Sequence, residues 1–250
     1  MKLYPLLALF LLLASTLAAQ DSEAPSRGPD GRTRYFVEGI TVLPLAGKPF
    51  SGRSTTEWTR KLDDGGVVTT HLFAMVARDS QGRIYRERRK FVPANSDQES
   101  RKEDIRIFDP VTHTRTVCIV AARRCTVTGY HARTSFKPTP AGSLDDGKRY
   151  LTRESLGSDV IEDPNVVGTR ETTTINAGVI GNSQPLVTTR EFWYSPDLQI
   201  NLSVTRNDPR EGTLAIRLVD LSRSEPDPAM FQVPAEFVVE DGRQSAKADN

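Results

Sequence analysis

Apolar and polar residues alternate with a period of two along most of this chain. In LQINLSVT (198–205) the apolar residues Leu198, Ile200, Leu202 and Val204 point one way, and the polar residues between them point the other. Such alternation is typical of a strand with one buried and one solvated face, as found in antiparallel sheets. Almost no segment shows the period of 3.6 residues that an amphipathic helix requires. The pattern therefore predicts a protein built from strands.

Turn-forming residues separate the alternating segments. Aspartate, asparagine or serine begins each turn and glycine or proline shapes it, in LDDGG (62–66), DSQG (79–82), FDP (108–110), SPDL (195–198) and NDPREG (207–212). In DSQG, Gly82 suits the left-handed position of a three-residue hairpin turn. The pattern predicts strands at 34–43, 53–62, 66–78, 83–91, 103–109, 113–120, 124–131, 149–156, 166–175, 187–195, 198–206 and 213–222. Residues 93–102 are predicted to form a loop or one short helix.

The predicted fold class is all-β, with at most one or two short helices. About a dozen strands in one open sheet are expected to curl or to close. The long connection 132–148, which contains Pro138 and Pro140, is expected to divide the sheet into two halves. We therefore predict a large curled antiparallel sheet, a half-barrel or two packed sheets. The wide apolar face of such a sheet must meet a second sheet, a helix or a ligand.

The first residues, MKLYPLLALFLLLASTLAAQ, have the features of a secretory signal peptide: one lysine, an apolar run from Leu6 to Ala14 and a small-residue site ending at Ala19. The apolar run is shorter than the ~20 residues that a membrane span needs, and no second such run follows. Gln20 stands where a bacterial lipoprotein would carry its acylated cysteine. We expect a signal peptide at 1–19 that is cleaved, and a soluble mature protein, without a transmembrane span, in the periplasm or outside the cell.

The mature chain is expected to form one β-rich domain at 34–240. The polar stretches on either side of it, 20–33 and 241–250, are predicted to be flexible termini. A hydrophobic content of 37% lies near the ordinary globular level and is compatible with a sizeable core.

Loss of the leader makes the chain electrically neutral. Residues 1–20 contain Lys2 and no acid, so the 33 basic residues fall to 32 and match the 32 acidic ones. Binding to nucleic acid depends on a basic surface that neutralises phosphates, and a neutral chain has no such global field. Nucleic acid is therefore not an expected partner.

The most highly charged stretch is VARDSQGRIYRERRK (76–90). Long arginine and lysine side chains can cover a sheet face while their charged ends stay in solvent, and they can also protect an edge strand from pairing with other chains. A nucleic-acid platform would need aromatic residues on the basic side. Only Tyr85 and Phe91 are near, and they lie on the side with fewer charges. We therefore interpret the stretch as a solvated face of a hairpin, with a polyanion site as the alternative.

Cys118 and Cys125, in VCIVAARRCT, are predicted to form a disulfide bond. A hairpin centred between Ala121 and Ala122 places the two cysteines opposite each other on one face, where their β-carbons come near the ~3.8 Å that a disulfide requires. Two cysteines in an exported chain normally pair. Closing a loop of this length stabilises the fold by about 2.5 kcal/mol in the chain-entropy model. A redox or metal pair, the alternative, would favour CxxC spacing.

The sequence contains no recognisable catalytic or metal-binding motif. His71, His113 and His131 belong to no HxH or HExxH pattern, and there is no GxSxG turn, P-loop or Rossmann glycine pattern. The acid pairs Asp63–Asp64 and Asp145–Asp146 lie in turn signals, where carboxylates accept hydrogen bonds from backbone N–H groups. We therefore predict no catalytic residues, no metal and no cofactor.

Phe192, Trp193 and Tyr194 form an aromatic cluster before the SPDL turn. Together with Trp58 they could line a hydrophobic groove. The alternative is an ordinary sheet core, with two of the three aromatic residues on one face and the third on the other.

Several stretches resemble a group of exported bacterial proteins without an assigned activity: PFSGRSTTEWTRKLDDGGVV, RDSQGRIYRERR, GTRETTTINAGVIGNSQPLVTTREFWYSPDL and DPREGTLAIRLVDLSRSEPDPAMFQVPAEFVVED. The FQVPAEF segment (231–237) also resembles the end of the periplasmic lipoprotein-carrier superfamily, which is LolA-like. The second resemblance implies a curled antiparallel sheet with a hydrophobic concave face. It supplies no catalytic residues, and this chain lacks the helices that close over such a face.

These observations predict an exported, soluble and non-catalytic protein of the cell envelope. Its expected role is to bind a hydrophobic ligand or lipid on a sheet face, at residues that the sequence does not identify. The alternative is a protein–protein interaction or structural module with a closed core, whose partner would be another envelope protein. An enzyme is the minority hypothesis.

Overall fold

The computed structural model describes residues 40–133, 135 and 138–243, together with the backbone of residues 26, 27, 33 and 34. The chain divides into two units, Met1–Glu38 and Gly39–Asn250. In the first, strands β1 (Ser26–Arg27) and β2 (Thr33–Arg34) form a short antiparallel ladder. The predicted signal peptide lies outside the described residues, and the predicted domain limits stay predictions.

The described part of the second unit consists of strands and two 3-10 helices of one turn each, Asp145–Gly147 and Pro228–Phe231. Its strands are β3 (Phe50–Lys61), β4 (Val67–Arg78), β5 (Ile84–Arg89), β6 (Val92–Pro93), β7 (Lys102–Asp109), β8 (Thr114–Ile119), β9 (Arg124–Gly129), β10 (Gly142–Leu144), β11 (Arg149–Val160), β12 (Asn165–Ile175), β13 (Leu186–Ser195), β14 (Ile200–Asp208), β15 (Gly212–Ser222) and β16 (Val238–Asp241). The all-β prediction is confirmed.

All these strands belong to one open sheet in the order β10-β11-β12-β13-β14-β15-β3-β4-β5-β7-β8-β9-β16, with β6 paired to β4. Neighbouring strands are antiparallel, except that β16 runs parallel to β9. The connection at 132–148 separates β3–β9 from β10–β15 along the chain, and β10 lies inside it. The two halves do not stack on each other: they lie side by side, because β15 pairs with β3.

Most of the predicted strands are present, and the exceptions have physical reasons. The strand predicted at 34–43 is wrong over 40–43, where the chain is buried but forms no ladder; residues 35–39 lie outside the described part. The short strands β6, β10 and β16 were missed because each has too few residues for its alternation to stand out. Of residues 93–102, Pro93 ends β6, Lys102 begins β7, and 94–101 form a loop rather than a helix. In the DSQG turn, Gly82 has the left-handed conformation predicted, with φ 84°.

Chain length requires the sheet to curve. From β9 to β10 there are eleven strand-to-strand steps in the sheet, or roughly 53 Å if it were flat. The twelve connecting residues, 130–141, span at most about 45 Å when fully extended. A flat sheet cannot be joined by this connection, so the curled sheet predicted from the strand count is also a requirement of the topology.

The two faces of the sheet bury different parts of the core. Face A is defined here as the side that carries Trp58, Leu202 and Ile216, and face B as the side that carries Tyr85 and Cys118. On face A the buried apolar side chains belong mainly to β14, β15 and β3, and on face B to β4, β5, β7, β8 and β9. The main buried apolar surface of the sheet therefore changes from face A to face B between β3 and β4.

The C-terminal segment closes the apolar part of face B. Phe231, from the 3-10 helix Pro228–Phe231, is buried in a cluster with residues of β4, β5, β7, β8 and β9, and Val233 and Phe237 pack against the same cluster. The helix begins at Asp227, whose side chain accepts a hydrogen bond from the Ala229 N–H group. Strand β16 follows and completes the sheet edge along β9.

Residues 40–43 lie on face A at the end of the sheet that holds Arg78. The fully buried Arg78 guanidinium donates hydrogen bonds to the carbonyl oxygens of Lys48 (2.8 Å), Leu43 (3.0 Å) and Leu198 (2.7 Å). Burial lowers the pKa of Arg78 to about 10, against an opposing influence of Tyr194. Arg78 thus joins two loops to β4 and fixes this covering segment on the sheet.

Candidate functional site

At the other end of face A, apolar and cationic side chains form a patch that is only partly buried. We call Trp58, Arg60, Arg190, Phe192, Arg206 and Leu214 the arginine–aromatic patch. Five of these six residues are half-buried and Arg190 is exposed, in contrast to Leu202, Ile216 and Leu218 nearby, which are 0–3% exposed. The patch lies where β13, β14, β15 and β3 are neighbours.

Strand register brings these residues together from distant parts of the chain. Arg190 of β13 pairs with Arg206 of β14, Arg206 pairs with Leu214 of β15, and Leu214 pairs with Trp58 of β3. In the next row, Phe192 pairs with Val204. Directly paired side chains on one face lie about 5 Å apart at their β-carbons. The patch is therefore continuous across four strands.

Two of the three arginines of the patch stack on its aromatic rings. The Arg60 guanidinium carbon lies 4.6 Å from the centre of the Trp58 ring, and that of Arg190 lies 5.6 Å from the centre of the Phe192 ring. Both distances are within the range of cation–π attraction. The Trp58 indole N–H group donates a 2.7 Å hydrogen bond to the Glu211 carbonyl oxygen, and its ring centre lies 6.0 Å from that of Phe91. These contacts hold Trp58 in place.

Two carboxylates flank the patch, and both have arginine partners. Asp208, almost fully buried, lies 3.1 Å from Arg206 Nη2 and 2.8 Å from Arg210 Nη2. Hydrogen bonds from Arg210, helped by Arg206, hold the pKa of Asp208 well below its usual range, although burial acts to raise it. Glu171, which pairs with Arg190 across β12 and β13, lies 2.5 Å from Arg153 Nη2.

The other half of face A carries the arginines of the 76–90 stretch. Arg86 and Arg88 of β5 lie beside Arg106 and Asp104 of β7. The buried Asp104 carboxylate accepts hydrogen bonds from Arg88 Nε and, at 3.1 Å, from Arg106 Nε. Strand β5 is an interior strand between β4 and β7. The charges of β5 therefore do not protect a sheet edge, and Arg88 instead helps to neutralise a buried acid. The interpretation of the stretch as a solvated face stays a prediction.

On face B, the same strand contributes a buried carboxylate to a polar network. Glu87 accepts hydrogen bonds from the Tyr85 hydroxyl (2.9 Å) and from Arg89 Nε (2.7 Å), and its Oε1 lies 2.6 Å from Lys102 Nζ. Burial acts to raise the pKa of Glu87, but hydrogen bonds from Lys102, Arg89, Tyr85 and the Met75 N–H group outweigh it, so the pKa lies below its ordinary value. Burial, reinforced by the charge of Glu87, raises the pKa of Tyr85.

Two small cavities lie on the sheet among the described residues. One, of about 30 Å³, lies between Ile40 and the side chains of Ser54, Ala74, Val76 and Arg86 on face A. The other, of about 250 Å³, is an open crevice on face B beside Arg53, Phe73, Met75, Arg89 and Ser100. Drug-sized ligands occupy pockets of about 300–1,000 Å³. Neither cavity has the volume of a lipid-carrier interior.

The predicted cysteine pair is placed as the hairpin pattern required. Cys118 of β8 and Cys125 of β9 pair directly across the strands, with their sulfur atoms 2.10 Å apart, and both are fully buried in the face B cluster. Oxidation of the pair in the exported protein stays a prediction.

The predicted aromatic groove is assembled only in part, because Phe192 and Trp58 share face A but Trp193 does not. Phe192 lies on face A, whereas Trp193 lies on the opposite side of β13 and packs where Gly168 leaves room for its ring. Two strands separate Phe192 from the strand of Trp58. The members of the patch that sequence reasoning missed are Arg60, Arg190, Arg206 and Leu214. The signal that they have in common is that each lies on the same side of its strand as an apolar residue.

The remaining candidates lie apart from one another. His71 contacts Phe73, with ring centres 5.3 Å apart, while His113 and His131 are exposed. Asp64 accepts a 2.8 Å hydrogen bond from the Gly66 N–H group, and Asp145 pairs with Arg149. Within the residues described, no three His, Cys, Asp or Glu side chains are grouped so that they could hold a metal ion. A search of the same residues finds no helix that is long and apolar enough to cross a membrane.

No protein-family model matches the chain, and no curated protein matches it. Solved structures similar to it include MucB from the Pseudomonas aeruginosa MucA/MucB complex, with a TM-score of 0.38 and 13% identity over 78% of this chain. This chain spans only 58% of the length of that protein.

Two further solved structures are similar to this chain at a lower level. A putative outer membrane lipoprotein-sorting protein domain from Vibrio parahaemolyticus has a TM-score of 0.30 and 9% identity, over 76% of this chain and 92% of that one. A putative exported protein with a YmcC-like fold from Bacteroides fragilis has a TM-score of 0.27 and 9% identity, over 74% and 100%. Likenesses at this level concern general architecture and assign no activity.

Proposed function

We propose that this protein is an exported, non-catalytic binding protein of the cell envelope, and that it holds the apolar part of a lipid against the arginine–aromatic patch. The observation that carries this proposal is the incomplete burial of Trp58, Phe192 and Leu214 on one continuous sheet face. Exposed apolar surface in a soluble protein marks a site of interaction when it is contiguous and rimmed by polar groups. Here the rim is supplied by arginines.

The dimensions of the patch suit one acyl chain on an open surface. From β13 to β3 there are three strand-to-strand steps, or about 14 Å. One leaflet of a bilayer core, half of about 30 Å, sets the length of an extended acyl chain at about 15 Å. Because the patch is an open sheet face, the acyl chain would lie on that face and leave one side in contact with solvent.

The two tryptophans provide a direct test, because the sequence contains no others. Trp58 belongs to the patch, whereas Trp193 is on the other side of the sheet. In the variant Trp193→Phe, a phospholipid with brominated acyl chains should quench the fluorescence of Trp58. In Trp58→Phe, the remaining Trp193 should be quenched much less. Equal quenching of both tryptophans, or quenching of neither, would contradict the proposal.

A closed-core interaction module is the second candidate, and the packing of residues 226–237 favours it. This segment covers the apolar cluster on face B with Phe231, Val233 and Phe237. A protein partner could instead add a strand to β11, because β10 pairs only with Arg149–Leu151 of that strand. Proline substitution at Ser158, on the remaining edge of β11, should then abolish capture of the partner while leaving lipid quenching of Trp58 unchanged.

A further inference from the structure

We propose that the lipid bound at the arginine–aromatic patch is anionic and that its headgroup is held between Arg190 and Arg206. This inference rests on the proposed function and adds the chemical class of the ligand. It depends on strand register, on the different arrangement of charges on faces A and B, and on the distance from the arginines to the apolar part of the patch.

The two arginines are directly opposed on neighbouring strands. Arg190 of β13 pairs with Arg206 of β14. Like charges at directly opposed positions destabilise a sheet. In the same row, Glu171 separates Arg190 from Arg153, so three arginines face one glutamate. Asp208 also binds Arg206, but it lies two residues further along the same strand, β14, and therefore outside this row. A negative group placed between Arg190 and Arg206 would remove their repulsion.

The same strands arrange their charges differently on face B. There, Arg170 of β12 lies between Glu154 of β11 and Glu191 of β13, and its nitrogens are 3.1 Å and 2.7 Å from their carboxylates. Signs alternate along this row, as expected where a sheet face needs only solubility and stability. On face A, Arg190 and Arg206 are directly opposed, as Arg86 and Arg106 are across β5 and β7, where the buried Asp104 carboxylate accepts a hydrogen bond from Arg106. An anionic ligand would supply a comparable negative group between Arg190 and Arg206.

The apolar side chains beside the cations point to a lipid rather than to a free anion. Leu214 is one strand from Arg206 and Trp58 is two strands away, or about 10 Å. Arg190 stacks on Phe192, so its guanidinium is already held at the border between polar and apolar surface. A molecule with an anionic headgroup and an acyl chain satisfies both parts of the patch. Inorganic phosphate satisfies only the cations.

The test compares headgroups that carry identical brominated acyl chains, with Trp58 quenching as the readout in the Trp193→Phe protein. Phosphatidylglycerol is anionic and phosphatidylcholine is zwitterionic. We expect phosphatidylglycerol to bind about tenfold more tightly at low salt, the ratio expected from one or two charge-assisted contacts. The ratio should fall as salt is raised, because exposed charges are screened.

Variants at the proposed headgroup site and at a control site show whether the preference for phosphatidylglycerol arises from Arg190 and Arg206. Arg190→Gln together with Arg206→Gln should reduce the headgroup ratio to about one, whereas Arg217→Gln, on face B of the neighbouring strand β15, should leave it unchanged. If the Trp193→Phe protein, with Arg190 and Arg206 intact, bound the two lipids equally, the anionic proposal would be overturned and the lipid-binding function would stand. Quenching by neither lipid would overturn both.

Inorganic phosphate separates a lipid site from a simple anion site. At millimolar concentration it should not displace phosphatidylglycerol from the protein. Full displacement by phosphate at the same ionic strength as a chloride control would show a site for a free anion, and would overturn the lipid assignment. Because the headgroup comparison needs no arginine variant, the proposal remains testable if a variant fails to fold.

Discussion

Gly212 lies at the junction between the two halves of the sheet, and its replacement by alanine should loosen that junction. Gly212 begins β15, has φ 89°, and leaves no room for a side chain: a Cβ atom there would lie 2.1 Å from the Thr59 carbonyl oxygen on β3. The left-handed conformation alone costs alanine about 1–2 kcal/mol. The clash with a backbone atom forces the strands apart and adds about 1–3 kcal/mol.

Gly65 is the matched control for this prediction. It has a similar φ of 85°, but a Cβ atom there would meet nothing within 4 Å. Gly65→Ala should therefore lose about 1–2 kcal/mol of unfolding free energy, and Gly212→Ala about 2–5 kcal/mol. Urea unfolding followed by far-UV circular dichroism measures both. An equal loss in the two variants would refute the argument that close strand approach at the junction requires a glycine.

Three further predictions concern buried polar groups and the cysteine pair. Arg78→Lys should lower the free energy of unfolding by about 2–4 kcal/mol, because one ammonium nitrogen cannot take the positions of the three guanidinium nitrogens that donate to three different carbonyl oxygens; a loss below about 1 kcal/mol in urea unfolding contradicts this. The folded pKa of Glu87 lies below the ordinary 4.5, so its contribution to stability is present above that pH and is lost as the pH falls through the folded pKa. Unfolding of Glu87→Gln should accordingly depend less on pH in the acid range than that of the parent protein, and parallel pH profiles would exclude this role. Replacing Cys118 and Cys125 by serine should cost about 2.5 kcal/mol, and two free thiols in mass spectra of exported protein would rule out the bond.

The strands could be predicted because their signal is local. In β14 the apolar residues Ile200 and Leu202 alternate with polar ones and are 0–1% exposed. The DSQG hairpin has the turn residues that its geometry needs, including Gly82. Period and turn chemistry both act within a few residues, so one sequence is sufficient to recognise them.

The covering segment shows where a local signal misleads. Residues 40–43 are apolar enough to resemble a strand, and Ile40, Val42 and Leu43 are indeed buried. However, their burial comes from lying on face A rather than from joining a ladder. Hydrophobicity reports that a residue is covered and does not report which atoms its backbone pairs with.

The arginine–aromatic patch depends on register, which a single sequence does not encode locally. Alternation alone places Arg190 on the same side as Phe192, and Arg206 on the same side as Val204. It does not show that the two arginines lie opposite each other, because that depends on the register of β13 against β14. Nor does it show that Trp58, more than 130 residues earlier, joins the same surface through β15.

Residues 130–141 set a limit on any motion that binding could cause. Since they join strands near opposite borders of the sheet, those borders cannot separate further than the twelve residues reach. A partner that required the protein to lie flat, such as a planar crystal face or a stack of extended sheets, is thereby disfavoured by covalent connectivity, independently of any side chain. Cleavage of the backbone within this connection would remove the restraint without removing a single strand.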